Sequence, residues 1–246
     1  MSAKSDGPVV VITGVSRGEG LGFETARQLG AKGMRVVITA RDAGKAGVLA
    51  AKLAAEGLDV RGMALDVTSD ASAATLAEAL KATFGRVDIL INNASGAYDG
   101  TTPTLETDFA DVQAGLEVTL YGAWRMIRTL RPLLLASAHP RIVNITSESV
   151  SFGGSAGMAK GGAILGAYTM AKVTLNALTV KMASAFADTP VLVNAASPGW
   201  IATYPGTAEM GARPVAKGAA SVIFAATLPD GGPSGKLFRD GKELPW

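Results

Sequence analysis

Tyr168-Thr-Met-Ala-Lys172 places a phenol and an ammonium four residues apart in an apolar, alanine-rich run with helical periodicity. Positions i and i+4 share one face of an α-helix. An ammonium held beside a phenol favours the phenolate, so the tyrosine can give and take a proton near neutral pH. The same spacing occurs on ordinary solvated helices, so the pair needs support from elsewhere in the chain. Other groups that carry chemistry are few. Cysteine is absent, and the one histidine, His139, precedes Pro140 between a helical segment and a strand. Thiol catalysis and disulfides are excluded, and a multi-histidine metal site is impossible. No acidic cluster replaces it, so no metal is expected.

The bulk properties narrow the class further. At 246 residues and 48% hydrophobic, the chain is long and apolar enough for one large α/β domain spanning 1–246. A net charge of +2 without a basic block predicts neither a nucleic-acid nor a membrane partner. No apolar run reaches about 18 residues, so no membrane-spanning helix is expected. The first residues, MSAKSDGPVVVITG, lack a signal-peptide layout, because a short apolar segment runs straight into a glycine turn. Together with the missing cysteines, this fits the cytoplasm.

The elements that must position the pair can be read in order. Strands are expected at Val9–Thr13, Arg35–Thr39, Val60–Leu65, Val87–Ile91, Arg141–Thr146 and Val191–Ala195, with a short last one at Lys236–Phe238. Helices are expected at Leu21–Lys32, Ala43–Glu56, Asp70–Phe84 and Pro214–Ala226, and around Tyr168 and Lys172. A long helical region covers Leu105–Ser137, with Pro132 expected to kink or interrupt it. Strands alternating with helices predict right-handed βαβ units and a parallel sheet covered on both faces.

After strand one comes Thr13-Gly14-Val-Ser16-Arg17-Gly18-Glu-Gly20-Leu21-Gly22, then a helix. Glycines there let the backbone approach a pyrophosphate at the helix N-terminus, where free N–H groups and the dipole favour an anion. Gly14, Ser16, Arg17, Gly20, Leu21 and Gly22 are the expected cradle, with Glu19 pointing into solvent. Strand two ends in Arg41-Asp42. An acidic residue at that place would bind a ribose 2′-hydroxyl; an arginine suits a 2′-phosphate, so NADP(H) is expected over NAD(H). Arg17 could be a second cation. The alternative is a surface Arg41 paired with Asp42. Asp66, before Val67, could accept from the adenine amino group or cap a turn. Asn92-Asn93-Ala94 and Thr146-Ser147 end strands at the same sheet edge, where open α/β sheets bind ligands.

These motifs together resemble the short-chain dehydrogenase/reductase family. The resemblance rests on TGVSRGEGLG, Asp66-Val67, NNA from Asn92 to Ala94, VNITS ending at Ser147, YTMAK from Tyr168 and SPGWIAT from Ser197 to Thr203. The C-terminal stretch from Gly211 is similar to the carbonyl-reductase-like branch. The resemblance implies a Rossmann-type doubly wound fold. Tyr168 would be the general acid and base, Lys172 would hold the nicotinamide ribose and lower the tyrosine pKa, and Ser147 would orient the substrate carbonyl. Pro198, Gly199, Ile201 and Thr203 would line the nicotinamide and phosphates. Hydride transfer from the pro-S face and a homodimer or homotetramer built on the long helices are also implied.

Three departures from the family pattern stand out. Gly14, Gly18 and Gly20 satisfy TGxxxGxG literally, yet the length of the following helix aligns Gly20-Leu21-Gly22 with its final GxG. That implies a two-residue insertion, a spacing similar to that of enoyl-acyl-carrier-protein reductases. Ser155 has the usual distance to the tyrosine, but Ser147 has the strand-end context and is preferred, with Ser149 a weaker choice. About eight extra residues then fall in the glycine-rich segment Phe152–Gly166, read as a mobile loop over the pocket. Thr119 stands where the family often has a relay asparagine. Its reach is shorter, so either water fills the gap or the proton takes another path.

The expected activity is interconversion of a ketone or aldehyde with an alcohol using NADP(H). Reduction of a C=C or C=N bond and a catalytically silent nucleotide-binding protein are the competing readings. Tyr98, Phe152, Trp200 and Tyr204 are expected to shape a pocket for an apolar or aromatic small-molecule carbonyl substrate.

Overall fold

The computed structural model describes residues 7–96, 99–153, 157–158 and 162–246. Its strands form one eight-stranded sheet in the order β3-β2-β1-β4-β5-β6-β7-β8. These are β1 Val9–Ile12, β2 Arg35–Ala40, β3 Val60–Ala64, β4 Ile89–Asn92, β5 Arg141–Ile145, β6 Leu192–Ala196, β7 Leu237–Arg239 and β8 Lys242–Leu244. The first seven run parallel, and β8 pairs antiparallel with β7. The helices are α1 Leu21–Ala31, α2 Ala43–Ala55, α3 Asp70–Phe84, α4 Phe109–Leu116, α5 Gly122–Leu135, α6 Gly166–Ala185 and α7 Val215–Ala226.

Period-two alternation divides the core into two layers. Val10, Ile12, Val36 and Ile38 pack with Leu29 of α1, Leu53 of α2 and Val222 of α7. Val11, Val37, Leu90 and Ile142 face the other way, onto Leu76 of α3, Leu130 of α5 and Leu175 of α6. Strands buried on both faces read as continuous apolar runs, and the helices cover both sides of the sheet, as a doubly wound Rossmann-type fold requires. The chain order reverses between β1 and β4, so a crevice opens at their carboxyl ends.

Two expectations about elements are corrected, and one further strand is found. The expected long helical region at 105–137 is continuous only from Phe109 to Leu135, and its irregularity lies at Glu117–Tyr121 rather than at Pro132. A short 3₁₀ turn covers Thr104–Glu106, Asp108 caps α4 through the Ala110 N–H at 2.8 Å, and a π-helical stretch at Glu117–Tyr121 joins α4 to α5 without a break in helical backbone. Pro132 sits in the last turn of α5, where only one upstream carbonyl loses its donor, and the helix continues to Leu135. The fourth strand begins at Ile89 rather than Val87, because the Val87 N–H turns to the Leu133 carbonyl. Finally, β8 goes beyond the sequence expectation. Asp240 and Gly241 both adopt positive φ, 50° and 77°, and close a two-residue hairpin that returns the chain along β7.

Candidate active site

The crevice between the ends of β1, β4 and β5 is a cleft of about 850 Å³. Its floor is the loop after β1. The buried Thr13 hydroxyl accepts from the Asn93 and Ala94 N–H groups at 3.1 and 3.0 Å. The Asn93 side-chain amide donates to the Thr13 and Gly14 carbonyls at 2.7 and 3.2 Å. Gly14 has φ +70°, and a Cβ there would lie 2.6 Å from the Ala94 Cα. Asn93 and Ala94 thus brace the glycine loop from beneath. A Cβ on Gly22 would meet the Asn93 amide at 2.8 Å and Val15 at 2.9 Å, whereas Gly18 has room. The steric demand in the loop falls on Gly14 and Gly22.

The N-terminus of α1 fits an anion. Its cap, Gly20, supplies no side-chain acceptor, and the first-turn residues Leu21, Gly22 and Phe23, whose N–H groups have no partner within the helix, line the cleft. Ser16, Arg17 and Gly20 line it too. Arg17 lies 4.3 Å over the Tyr204 ring and donates to the Thr203 carbonyl at 3.3 Å, bridging the cleft mouth. Glu19 is exposed and lies outside the lining.

Lys172 and Tyr168 project from α6. The Lys172 ammonium is 5.9 Å from the Tyr168 ring centre and donates to the Ile145 carbonyl at 2.7 Å. Burial pushes its pKa down to about 8. Ser147, two residues beyond Ile145, accepts from the Ser149 N–H at 3.2 Å and shares a 2.8 Å hydrogen bond with the Ser149 hydroxyl. Ser147, Tyr168 and Lys172 all line the cleft, as does Ser149. The opposite wall is Pro198, Gly199, Trp200, Ile201, Thr203 and Tyr204. The buried Ser197 hydroxyl ties that wall to the serine loop by accepting from the Glu148 and Gly199 N–H groups at 3.1 and 3.2 Å.

Several sequence candidates stand apart from the cleft lining. Arg41 is exposed just past β2, with no hydrogen bond or ion pair among the described residues. Its alternative partner, Asp42, instead caps α2 through the Lys45 N–H at 3.1 Å. Asp66 takes up the turn-capping arrangement, accepting from the Thr68 N–H and hydroxyl at 2.9 and 2.7 Å; those bonds lower its pKa. Val67 packs against α5, where a Cβ on Gly122 would lie 2.8 Å away. Asn92 is buried and donates to the Asn144 side chain at 2.8 Å, which places it inside the sheet edge rather than at the cleft. Its Oδ1 is buried without a partner. Thr119 is also buried, and its hydroxyl accepts from the Gly96 N–H at 3.0 Å. Phe152 is exposed beyond the cleft lining, and Tyr98 and Ser155 lie outside the described residues.

Sequence reading missed two features. Glu148 lines the cleft and is paired with Arg239 of β7. Beside them, Arg213 grips Asp240 with two bonds of 2.8 and 2.7 Å, which holds the Asp240 carboxyl down at about 2. The Asp240-Gly241 pair was the available signal for the hairpin that brings these charges in. The second missed residue is Asp99, which reaches the start of α6. Among the described residues, no group of three or more metal-ligating side chains is present, and no helix is long and apolar enough to cross a membrane. A smaller hollow of about 550 Å³, lined by Tyr121, Trp124 and Arg128 among others, contains none of the catalytic candidates.

The fold is of the doubly wound Rossmann-type class, and comparison with known proteins gives the family. The short chain dehydrogenase family model matches residues 8–210, and the chain belongs to that family. It is 30% identical to short-chain dehydrogenase/reductase 1 of Saponaria officinalis, over 96% of this chain and 95% of that protein. It is 31% identical to the 3-oxoacyl-(acyl-carrier-protein) reductase FabG of Escherichia coli K12, over 80% of this chain and 75% of that one. A metagenomic short-chain oxidoreductase, solved in complex with NADP, superposes with a TM-score of 0.74 at 30% identity, covering 94% of this chain and 95% of that chain.

Proposed function

We propose that the protein is an NADP(H)-dependent oxidoreductase that interconverts a ketone or aldehyde with an alcohol. The observation that carries this reading is that Ser147, Tyr168 and Lys172 line one cleft with the open N-terminus of α1. The glycine cradle and the first-turn N–H groups would hold a pyrophosphate. Arg41, an exposed cation at the end of β2 with no hydrogen bond or ion pair among the described residues and the Asp66 carboxylate in its field, would meet a 2′-phosphate. A reduced nicotinamide bound in the cleft would supply hydride.

The chain's own groups manage the proton. The Ser147 hydroxyl holds the substrate carbonyl oxygen, and the Tyr168 phenol gives its proton to that oxygen as the alcohol forms. The Lys172 cation stabilises the phenolate left behind, and a proton from solvent restores the phenol. In the oxidative direction Tyr168 is the base. Exposed Trp200 and Tyr204 at the mouth favour an apolar or aromatic carbonyl substrate. A homo-oligomer and a cytoplasmic setting accompany this reading. The first is supported by exposed Phe109, Tyr121, Trp124 and Met170 on or beside the long helices, the second by the lack of cysteine.

The test is a screen of carbonyl compounds and activated alkenes with NADPH and NADH, following the absorbance of the reduced nicotinamide. Turnover of ketones or aldehydes with NADPH is expected. Turnover confined to alkenes or imines would redirect the reading to C=C or C=N reduction, and NADPH binding without any turnover would favour a silent nucleotide-binding protein.

A further inference from the structure

We infer that Asp99 is the positioning residue for Tyr168, capping the catalytic helix from the loop after β4. The helix α6 has no cap of its own. The residue at its N-cap is Leu165, which offers no side-chain acceptor and sits in the left-handed region at φ 63°, ψ 39°. A leucine rarely holds that conformation unless its surroundings impose it. Asp99 fills the vacancy from far away in sequence. Its two carboxylate oxygens accept from the Ala167 and Tyr168 N–H groups at 3.0 and 3.2 Å. An anion on the first-turn N–H groups is the favourable pairing for a helix N-terminus.

The rest of the loop is stitched to the same place. The Leu165 N–H donates to the Thr102 carbonyl at 3.2 Å, and the Thr104 N–H donates to the Ala163 carbonyl at 2.8 Å. A Cβ on Gly166 would lie 2.5 Å from the Thr107 hydroxyl, so the helix start is seated directly on this turn. The strained Leu165 is therefore held by partners on both sides. Tyr168 is the third residue of α6, within the turn that Asp99 caps. Lys172 lies a turn further on, with its own bond to Ile145. Loss of the cap would loosen the phenol while leaving the lysine in place. Asp99 is not part of the cleft lining, and it acts through the tyrosine backbone.

This inference rests on Tyr168 being the general acid, so the experiment separates the two. Asp99→Ala and Asp99→Asn are made in the full chain, each with and without Tyr168→Phe. In the free protein, hydrogen exchange of the peptide covering residues 166–170 reports the cap directly. Asp99→Ala should speed it about 10-fold, with Asp99→Asn between it and the wild type because one acceptor oxygen remains. Unchanged exchange in Asp99→Ala overturns the inference. The second readout is NADPH-dependent turnover of the fastest carbonyl compound in the screen. Asp99→Ala should lower kcat about 10-fold and change KM by less than about 3-fold, the pattern of a misplaced acid. On the Tyr168→Phe background the same change should cost nothing more. An equal loss on both backgrounds overturns the inference. Wild-type turnover by Tyr168→Phe alone would instead overturn the role of Tyr168, with the exchange result still standing.

Discussion

The Lys172 ammonium donates to the Ile145 carbonyl at 2.7 Å, fastening α6 to the last residue of β5. With the Thr146 hydroxyl donating to Asn176 at 2.6 Å and the Asn144 amide donating to the Thr179 hydroxyl at 2.9 Å, it ties the strand end that leads to Ser147 to the helix that carries Tyr168. The position also has a cost. Lys172 is only 3% exposed, and burial lowers its pKa from the ordinary 10.5 to about 8.

A pH dependence of stability follows from that shift. Between about 8 and 10.5 the unfolded chain holds a proton on this group that the folded chain has released. Stability therefore rises with pH across that window. The urea midpoint of the wild type, measured against Lys172→Met from pH 7 to 10, should improve as pH increases. A flat or falling difference would contradict the buried assignment.

Tyr168→Phe keeps the ring and removes the hydroxyl. Turnover should fall on the order of 10²-fold or more, while NADPH affinity stays within a few-fold of wild type. Steady-state rates and a fluorescence titration of NADPH check the two halves separately.

Arg41→Ala should weaken NADPH by about 10-fold or more and NADH by less than about 2-fold, because only NADPH carries the 2′-phosphate that a guanidinium would grip. Titration with both nucleotides decides it. Equal losses would remove Arg41 from the phosphate site.

The hydroxyl of Thr119 holds the Gly96 N–H, so its loss should be felt as stability and loop order. Thr119→Val keeps the shape and leaves that N–H without its acceptor, at a cost of about 1–3 kcal/mol. Thr119→Ser should stay near wild type. Urea denaturation of the two variants gives the comparison. Thr119→Asn is the matching test of the relay: faster turnover would mean that threonine limits proton delivery, and an unchanged rate would mean that the proton takes another route.

Much of the architecture was legible because it rests on local pattern. Val9 to Ile12 and Val36 to Thr39 are β-branched runs that alternate between two layers, and the glycine loop lies between strand and helix. Element ends were less legible. The chain from Leu105 to Ser137 has one helical periodicity, yet the Asp108 cap starts the helix only at Phe109 and a π-helical turn around Thr119 shifts its register. Pro132 reads as a break in the sequence, but its place in the last turn of α5 makes it harmless there.

The sequence by itself determined the chemistry available: a tyrosine and lysine on one helix face, a serine at a strand end, and glycines where a backbone must pass close to another. Those depend on residue type and short spacing. Only the tertiary structure decided which side chains serve the cleft and which brace it. Asn92 turns inward to Asn144, Asn93 supports the glycine loop, Glu148 meets Arg239, and Asp99 reaches Tyr168 across 69 residues of chain. Such contacts depend on the order in which strands pair and on which hydrogen-bonding groups burial leaves in need of a partner, and neither is written in local spacing.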